Sequence, residues 1–597
     1  MAPAIDKARH AAAASLRRVR GRMTMPRPLR DLLARWQRLR ALPEGLPIER
    51  LRYALVSRLP RAASRKNAGA LAAPGPGVWP GIPERGRALL AGEIELLGRR
   101  LPVSDPFWGL ALDNPHLAAE FYGFAWLADL VAAGEPGVAL ARRLVAQWIA
   151  APESRTRRVL HPAIAGPRLA RWLQSADRLL GGGDASFDER FRRRIAEEAD
   201  GLARMLPGGL PGSTLIGAVK GLALAGLALP DAERWRKQAE ALVERELQRQ
   251  ILPDGGHVER SPSRQLQLLR DLADVAIAFL RAGQDVPPTI LGAARALTPL
   301  LRLLQHGDGG LALFNGSNEE TAGLIETVLT AVGETPQAPT QAPQTGFQRA
   351  AAGRLLLLVE SGRPAAPGYD LGAHAGTFAI EISHGRERIV TGCGAHPGDP
   401  RWEEALRATA AHSTLTLADT NSSLLLPGDG LGHRPGYVSC KREEQDGNVW
   451  LEMAHDGYGE AFGLVHRRRL YLAGSGEDLR GEDRLEPLAG ERAPDPRGGN
   501  AAPAPVPFAL RFHLHPEVQA TLAQNGRAAL LRLPSGLGWR LRAEGGAMSL
   551  ADSVYCGRRG QIRRSQQILV EGRHAGGETS IRWALGREQR RKAKPVS

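Results

Sequence analysis

The sequence predicts a multidomain α+β protein, helical first and an antiparallel β-sandwich second, and three observations carry that expectation. The chain has 597 residues, more than one core ordinarily organises, so it should divide into at least two large domains. From residue 91 to 333, apolar residues recur at helical spacing in "HLAAEFYGFAWLADLVAAG", "GPRLARWLQSADRLLGGG", "STLIGAVKGLALAGLAL" and "RQLQLLRDLADVAIAFLRAG", several of them stopping at glycine. After the Pro/Gln/Thr-rich stretch "GETPQAPTQAPQTG" the texture changes. Short apolar or alternating runs such as "RLLLLVESG", "TFAIEISHG", "NVWLEMAHDG" and "GWRLRAEGG" follow, bounded by Gly, Asp, Asn or Pro.

Taken in order, residues 1–90 read as basic helices leading into the breaker-rich loop "AAPGPGVWPGIPERG". This segment could touch a membrane surface or a partner. Residues 91–333 read as serial helices joined by short Gly/Pro loops, the pattern of helical hairpins packed in an array or ring. Residues 334–347 form a linker, and 348–597 form the β-sandwich. The loop "GEDLRGEDR" mixes both charges as a solvated hairpin does. "RRSQQ" and the terminal "REQRRKAKPVS" read as mobile basic ends.

Hydrophobic residues make up 43% and charged residues 24% of the chain, a balance that suits a folded protein. The formal net charge is +16, carried overwhelmingly by arginine. Guanidinium groups bind carboxylates, sulfates and phosphates through paired hydrogen bonds, so acidic glycans, nucleic acids and anionic membranes are all eligible on charge alone. Aromatics at 5% do not suit a single-stranded nucleic-acid groove. No P-loop or dinucleotide fingerprint occurs. Three scattered cysteines indicate neither a zinc ribbon nor a disulfide framework. Arginines interrupt the N-terminal alanine run before a signal-peptide core forms, and "LIGAVKGLALAGLAL", with Lys220 inside it, is too short to span a bilayer.

Specific words in this chain resemble the heparinase II/III-like polysaccharide lyases, which pair an incomplete (α/α) toroid with an antiparallel β-sandwich. "NPHLAAEFYGFAWLADL", "GSTLIGAVKGLALAG", "LPDGGHVERSPSRQ", "GAHAGTFAIEIS" and "ATAAHSTLTLAD" match family segments in the same order, over roughly residues 90 to 570. The resemblance implies β-elimination on a uronate-containing polysaccharide. Such a site neutralises a carboxylate, removes the proton beside it with a base of near-neutral pKa, and protonates the leaving glycosidic oxygen. Family members handle exported glycans, which implies the periplasm or envelope, although no export signal is recognisable here.

The resemblance carries His257 and Glu259 over unchanged and puts Arg264 where the family has its tyrosine. An arginine keeps its proton and cannot replace a phenol, but it could clamp a uronate. Ser213 and Thr214 stand at the family's Asn/His pair, Gly372 and His374 at its two histidines, and His412 at a third. The expected catalytic set is therefore His257, Glu259, Arg264 and His374, with His257 or His374 as base. Arg264, Asn315 and Asn318 are the expected substrate contacts, Asn315 also being an Asn-Gly turn signal. His374 and His412 are the implied ligands of a divalent metal such as zinc. Gly376 and Thr391 or Gly392 replace the carboxylates of that site, which Asp370, Asp419, His513 or His515 could complete in space. Two readings stay open: a polysaccharide lyase, and a catalytically degenerate glycan-binding relative that keeps the cleft without turnover. A third treatment of His374, an imidazole bonded to a carbonyl at a strand entrance, is structural only.

Overall fold

A computed structural model describes residues 27–43, 45–58, 69–103, 105–333, 337–488 and 505–588. The first 26 residues and the terminal basic run beyond residue 588, both assigned above to mobile or surface-contacting roles, lie outside the described residues.

The helical body is built around Gly212–Ala228, a helix apolar on every side and buried along nearly its whole length. It lies between Pro162–Gln174, Glu233–Gln250 and Pro262–Arg281. Its approach to Pro162–Gln174 is close enough that a Cβ on Gly221 would sit 2.2 Å from the Gly166 carbonyl oxygen, so only glycine fits there. The one charge on this helix, Lys220, donates to Asp271 at 2.6 Å and Asp274 at 2.9 Å, which neutralises it inside the core. Beside it an aromatic cluster joins Trp108, Phe121, Phe124, Trp126, Trp148 and Trp172. Among the described residues no helix is long and apolar enough to cross a membrane.

Several local expectations change. "HLAAEFYGFAWLADLVAAG" is two helices, Pro115–Tyr122 and Leu127–Ala132, because the chain breaks at Gly123 and Phe124, the latter at φ 61°. The presumed loop before residue 90 ends in a helix, Pro83–Leu90, and a two-stranded hairpin, Glu93–Leu96 with Arg99–Pro102, follows. The expected linker contains a short strand, Gln341–Ala342, which pairs with Phe347–Ala352.

The C-terminal half is two antiparallel sheets face to face. In the nine-stranded sheet the order is Ala547–Tyr555, Arg563–His574, Val506–Leu514, Glu387–Thr391, Ile380–His384, Leu355–Glu360, Phe347–Ala352 and Gln341–Ala342, with Leu415–Leu417 also on Val506–Leu514. The eight-stranded sheet runs Gln519–Ala523, Ala528–Arg532, Gly538–Glu544, Thr579–Arg587, Asp478–Pro487, Leu464–Leu472, Asn448–Tyr458 and Val438–Gln445. Leu355, Leu357, Ile380, Phe512, Trp539, Trp583 and Leu585 fill the space between them, as period-two alternation requires. The other face of the nine-stranded sheet packs on the helical body through Leu300, Leu304, Phe314, Phe347, Leu356 and Leu358. The molecule is thus layered as helices, nine-stranded sheet, eight-stranded sheet.

Two N-terminal helices, Arg27–Arg40 and Leu46–Val56, bridge both halves. Arg38 is buried and grips Asp370, with Nη2 2.6 Å from Oδ1, while its Nε donates to Asp429 at 2.9 Å. From the second helix, Glu49 lies 3.4 Å from Arg245 of the helical body.

Candidate functional site

The helical side of the site is the loop between Glu233–Gln250 and Pro262–Arg281. An isolated bridge pairs Ile251 with His257, and Gly255 (φ 80°) and Arg260 (φ 55°) turn the chain. His257 is buried, with Nε2 3.0 Å from Gln250 Oε1. Gln250 donates through Nε2 to Glu246 at 3.0 Å, so its oxygen faces the ring. His257 Nε2 therefore carries the proton, and Nδ1 carries the lone pair, without a hydrogen-bond partner among the described residues and 4.0 Å from Glu259 Oε2. Burial pulls the His257 pKa below the ordinary imidazole value, Glu259 acting in the opposite sense.

Glu259 is held by Ser213, whose N–H and hydroxyl each donate to it at 3.0 Å. The helix start that resembles the family's Asn/His pair thus meets the loop, but with hydroxyl chemistry. Arg264 lies with Nε 3.8 Å from Glu259 and donates to Gln267 at 2.8 Å, its side chain 47% exposed. Of the expected set it alone reaches solvent substantially. Ser261 precedes Pro262–Arg281 without capping it; its hydroxyl pairs with Ser317 at 3.0 Å.

On the sandwich side, Asn315 joins the two halves. Its amide donates to the Arg260 carbonyl at 3.1 Å and to Glu360 at 2.8 Å, and its oxygen accepts from the His374 N–H at 3.1 Å. The turn expected at Asn315–Gly316 is present, with Asn315 at φ 48° and Gly316 at φ 74°. Asn318 donates to the carbonyls of Ala395 and Cys556 at 2.9 and 2.8 Å. Both amides are thus committed to protein groups. Arg260 and Glu360, which the sequence reading did not single out, form a buried pair at 3.2 Å. Burial lifts the Glu360 carboxyl above its ordinary value, against the pull of Arg260. The only signal for Glu360 was an acid ending the apolar run "RLLLLVE".

His374 and His412 come together, Nδ1 to Nε2 at 3.1 Å, both buried. Burial lowers both pKa values, that of His412 to about 4; for His374 the neighbouring His412 and Arg407 add to the effect. A hydrogen bond between rings occupies the lone pair that one of them would offer a metal. Where the resemblance puts carboxylates stand Gly376 and either Thr391 or Gly392: a Cβ on Gly392 would stand 3.6 Å from His412 Nδ1, and one on Gly376 3.3 Å. None of the four candidates to complete a ligand set does so. Asp370 is held by Arg38 and Arg434, and the Asp419 side chain is 96% exposed. His513 pairs with Ser553 at 2.8 Å and the Ala410 carbonyl at 2.9 Å, and His515 lies 3.9 Å from Glu319. Among the described residues no three His, Cys, Asp or Glu side chains converge to hold a metal ion. This donor set does not fit a closed zinc site.

A helical body packed on a β-sandwich, with the Arg260 loop and the His374 segment tied together through Asn315, is the arrangement found in the heparinase II/III-like proteins. The chain belongs to the heparinase II/III-like family: the family's C-terminal domain matches residues 334–584 and its N-terminus residues 188–283. FtsZ-localized protein C of Caulobacter vibrioides (strain NA1000 / CB15N) is 32% identical over 531 residues, 84% of this chain and 88% of that protein. Among solved structures, heparinase III superposes with a TM-score of 0.68 at 14% identity, over 92% of this chain and 93% of that one. Heparan sulfate lyase HepC from Pedobacter heparinus gives 0.55 at 13% identity, over 92% and 88%. Chondroitin AC lyase of Streptomyces coelicolor A3, solved with chondroitin sulphate, gives 0.51 at 11% identity, over 92% and 83%.

Proposed function

We propose that this chain is a glycan-binding member of its family that retains the cleft for a uronate-containing polysaccharide and carries out no β-elimination. One observation carries the reading: the positions that would move a proton offer no free, exposed acid or base, since Glu259 is engaged by the Ser213 N–H and hydroxyl and its side chain is 15% exposed. Arg264 keeps its proton, Gly372 has no side chain, and the His257, His374 and His412 rings are buried at 1%, 4% and 1% exposure. Binding asks less of the site. Exposed Arg264 offers a bidentate carboxylate contact beside Ser213 and Glu259.

The test incubates purified protein with heparan sulfate and chondroitin sulfate, recording both retention and the ultraviolet absorbance of an unsaturated uronate. The expected outcome is retention, weakened roughly tenfold in Arg264→Ala, the size of losing one charge-assisted hydrogen bond, with no new absorbance. Absorbance that grows with time, and is lost in His257→Ala or His374→Ala, would restore the lyase reading.

A second reading rests on the curated relative, whose name places it with FtsZ and whose similarity runs over most of both chains. In this reading the protein joins FtsZ-organised division structures, and the glycan fold serves there as a recognition module. Co-sedimentation with FtsZ filaments tests it; a chain that stays in the supernatant at every filament concentration excludes direct contact. Ile48, Leu51 and Leu55 are exposed at helical spacing on Leu46–Val56, and Leu32 is exposed on the arginine-rich helix Arg27–Arg40, features that suit contact with anionic headgroups. Flotation with phosphatidylglycerol vesicles, compared with phosphatidylcholine vesicles, tests that contact.

A further inference from the structure

The outward face of the eight-stranded sheet is a concave trough of about 1360 Å³, on the side of the sandwich away from the helical body. Alternation sends Val449, Leu451, Leu470, Leu479, Trp583 and Leu585 into the core and the intervening side chains into the trough. Strand register then lays those side chains in rows across the sheet.

One row reads Lys441, Glu452, Arg469, Glu482, Arg582, Glu544, alternating in sign over six strands. The Arg469–Glu452 pair at 2.6 Å is exposed, and such a pair is worth at most about 1 kcal/mol, so a ligand can reorganise it at little cost. Glu482 is held in place by Arg582 at 3.1 Å, Arg484 at 2.8 Å and Ser580 at 2.9 Å.

The adjacent row reads Glu443, Trp450, Tyr471, Arg480, Ala584, Arg542. Trp450 is 37% exposed, and its ring lies 5.2 Å from that of Tyr471. The Arg480 guanidinium is 6.0 Å from the Tyr471 ring. Beyond it Ala584 leaves a low floor, and Arg542 stands two strand spacings from Arg480, about 10 Å. The Arg542 side chain is exposed and has no ion pair or hydrogen bond among the described residues, as is also true of the Glu544 side chain at the trough's edge.

We propose that this trough is a second glycan-binding site, separate from the cleft, and that its occupant is a uronate-bearing oligosaccharide. An indole beside a phenol offers a flat apolar surface to the C–H face of a pyranose. The low floor at Ala584 makes room for the next ring, and Arg542, whose side chain has no partner among the described residues, offers a cation to its carboxylate, while Arg480, bonded to Asp478 at 2.7 Å, borders the floor. The alternating row supplies donors and acceptors along the chain of hydroxyls, a service an apolar protein partner does not need.

Titration of the full chain with a heparan sulfate octasaccharide, against Trp450→Ala, Arg542→Glu and Arg264→Ala, tests the site, with thermal melts confirming that each variant folds. The trough is expected to lose at least fivefold in affinity in Trp450→Ala and in Arg542→Glu, while the Trp450 variant still responds to Arg264→Ala when the two are combined. If Trp450→Ala and Arg542→Glu both bind like wild type, the trough is no glycan site, whatever Arg264→Ala shows. If those two lose binding and Arg264→Ala does not, the trough stands and the cleft reading falls. Equal binding of a neutral glucan octasaccharide overturns the uronate assignment. A wild-type dimer that light scattering finds dissociated in Trp450→Ala overturns the glycan assignment in favour of a second copy of this chain.

Discussion

Between His374 and His412 a single proton bridges two nitrogens 3.1 Å apart, so protonating both rings would turn an attraction into a repulsion inside the core. Their pKa values lie below that of free imidazole, at about 4 for His412. The unfolded chain therefore binds protons below pH 6.5 that the folded chain refuses, and the unfolded state gains as pH falls. Stability present above pH 6.5 is expected to decline progressively towards pH 4. Thermal midpoints across that range should fall steeply for wild type and more gently for His374→Gln/His412→Gln; parallel slopes would show that the pair contributes nothing. The sequence brought these two residues into view through their resemblance to a metal site, but it could not show that the rings bond to each other. That outcome depends on the backbone separation of residues 374 and 412, and on the glycines at 376 and 392.

The N-terminal helices are held by charge rather than by apolar area. Only Leu46 of the helix Leu46–Val56 is buried, whereas Arg38 of the preceding helix sits in a socket formed by Asp370, Asp429 and the Leu431 carbonyl. Burial alone would raise the Asp370 carboxyl, but its bonds to Arg38 and the Leu431 N–H hold it below the ordinary range. Removing one member of such a buried pair costs about 3–5 kcal/mol, because the other charge is left without its partner. Arg434, 2.8 Å from Asp370, softens that loss. Arg38→Ala should therefore release the Arg27–Arg40 helix before the rest of the molecule unfolds, seen as faster hydrogen exchange over residues 27–58 with little change in the sandwich strands. Unchanged exchange would mean that Arg434 compensates fully. Basic helices at this end were legible from sequence. Their bridging role was not, because Asp370 and Arg38 are 332 residues apart.

Across the whole molecule, the charge of +16 means that an anionic polymer is attracted before it finds any specific contact, and added salt screens that attraction over roughly 8–10 Å. Retention on heparan sulfate should fall steeply between low and physiological salt, whereas the difference between wild type and Arg264→Ala persists in part because that contact is local. That no three His, Cys, Asp or Glu side chains converge among the described residues leads to a further expectation: elemental analysis of untagged protein should give well under one zinc per chain, with no shift of the thermal midpoint on adding a chelator. A stoichiometric metal lost in His374→Ala would overturn it.

The order of helices before strands, the alternation that defines each sheet face and the arginine-dominated charge follow from the sequence alone, because periodicity and composition are local properties. The family was legible there too, from words kept in order along both halves. Tertiary structure decided the rest: that Asn315 ties the Arg260 loop to the His374 backbone while the His257 and His374 rings lie under cover, that Asn318 spends its amide on two carbonyls, and that Trp450, Tyr471, Arg480 and Arg542 align on four strands. Burial and register depend on residues far apart in the chain, and no local pattern encodes the distance between them.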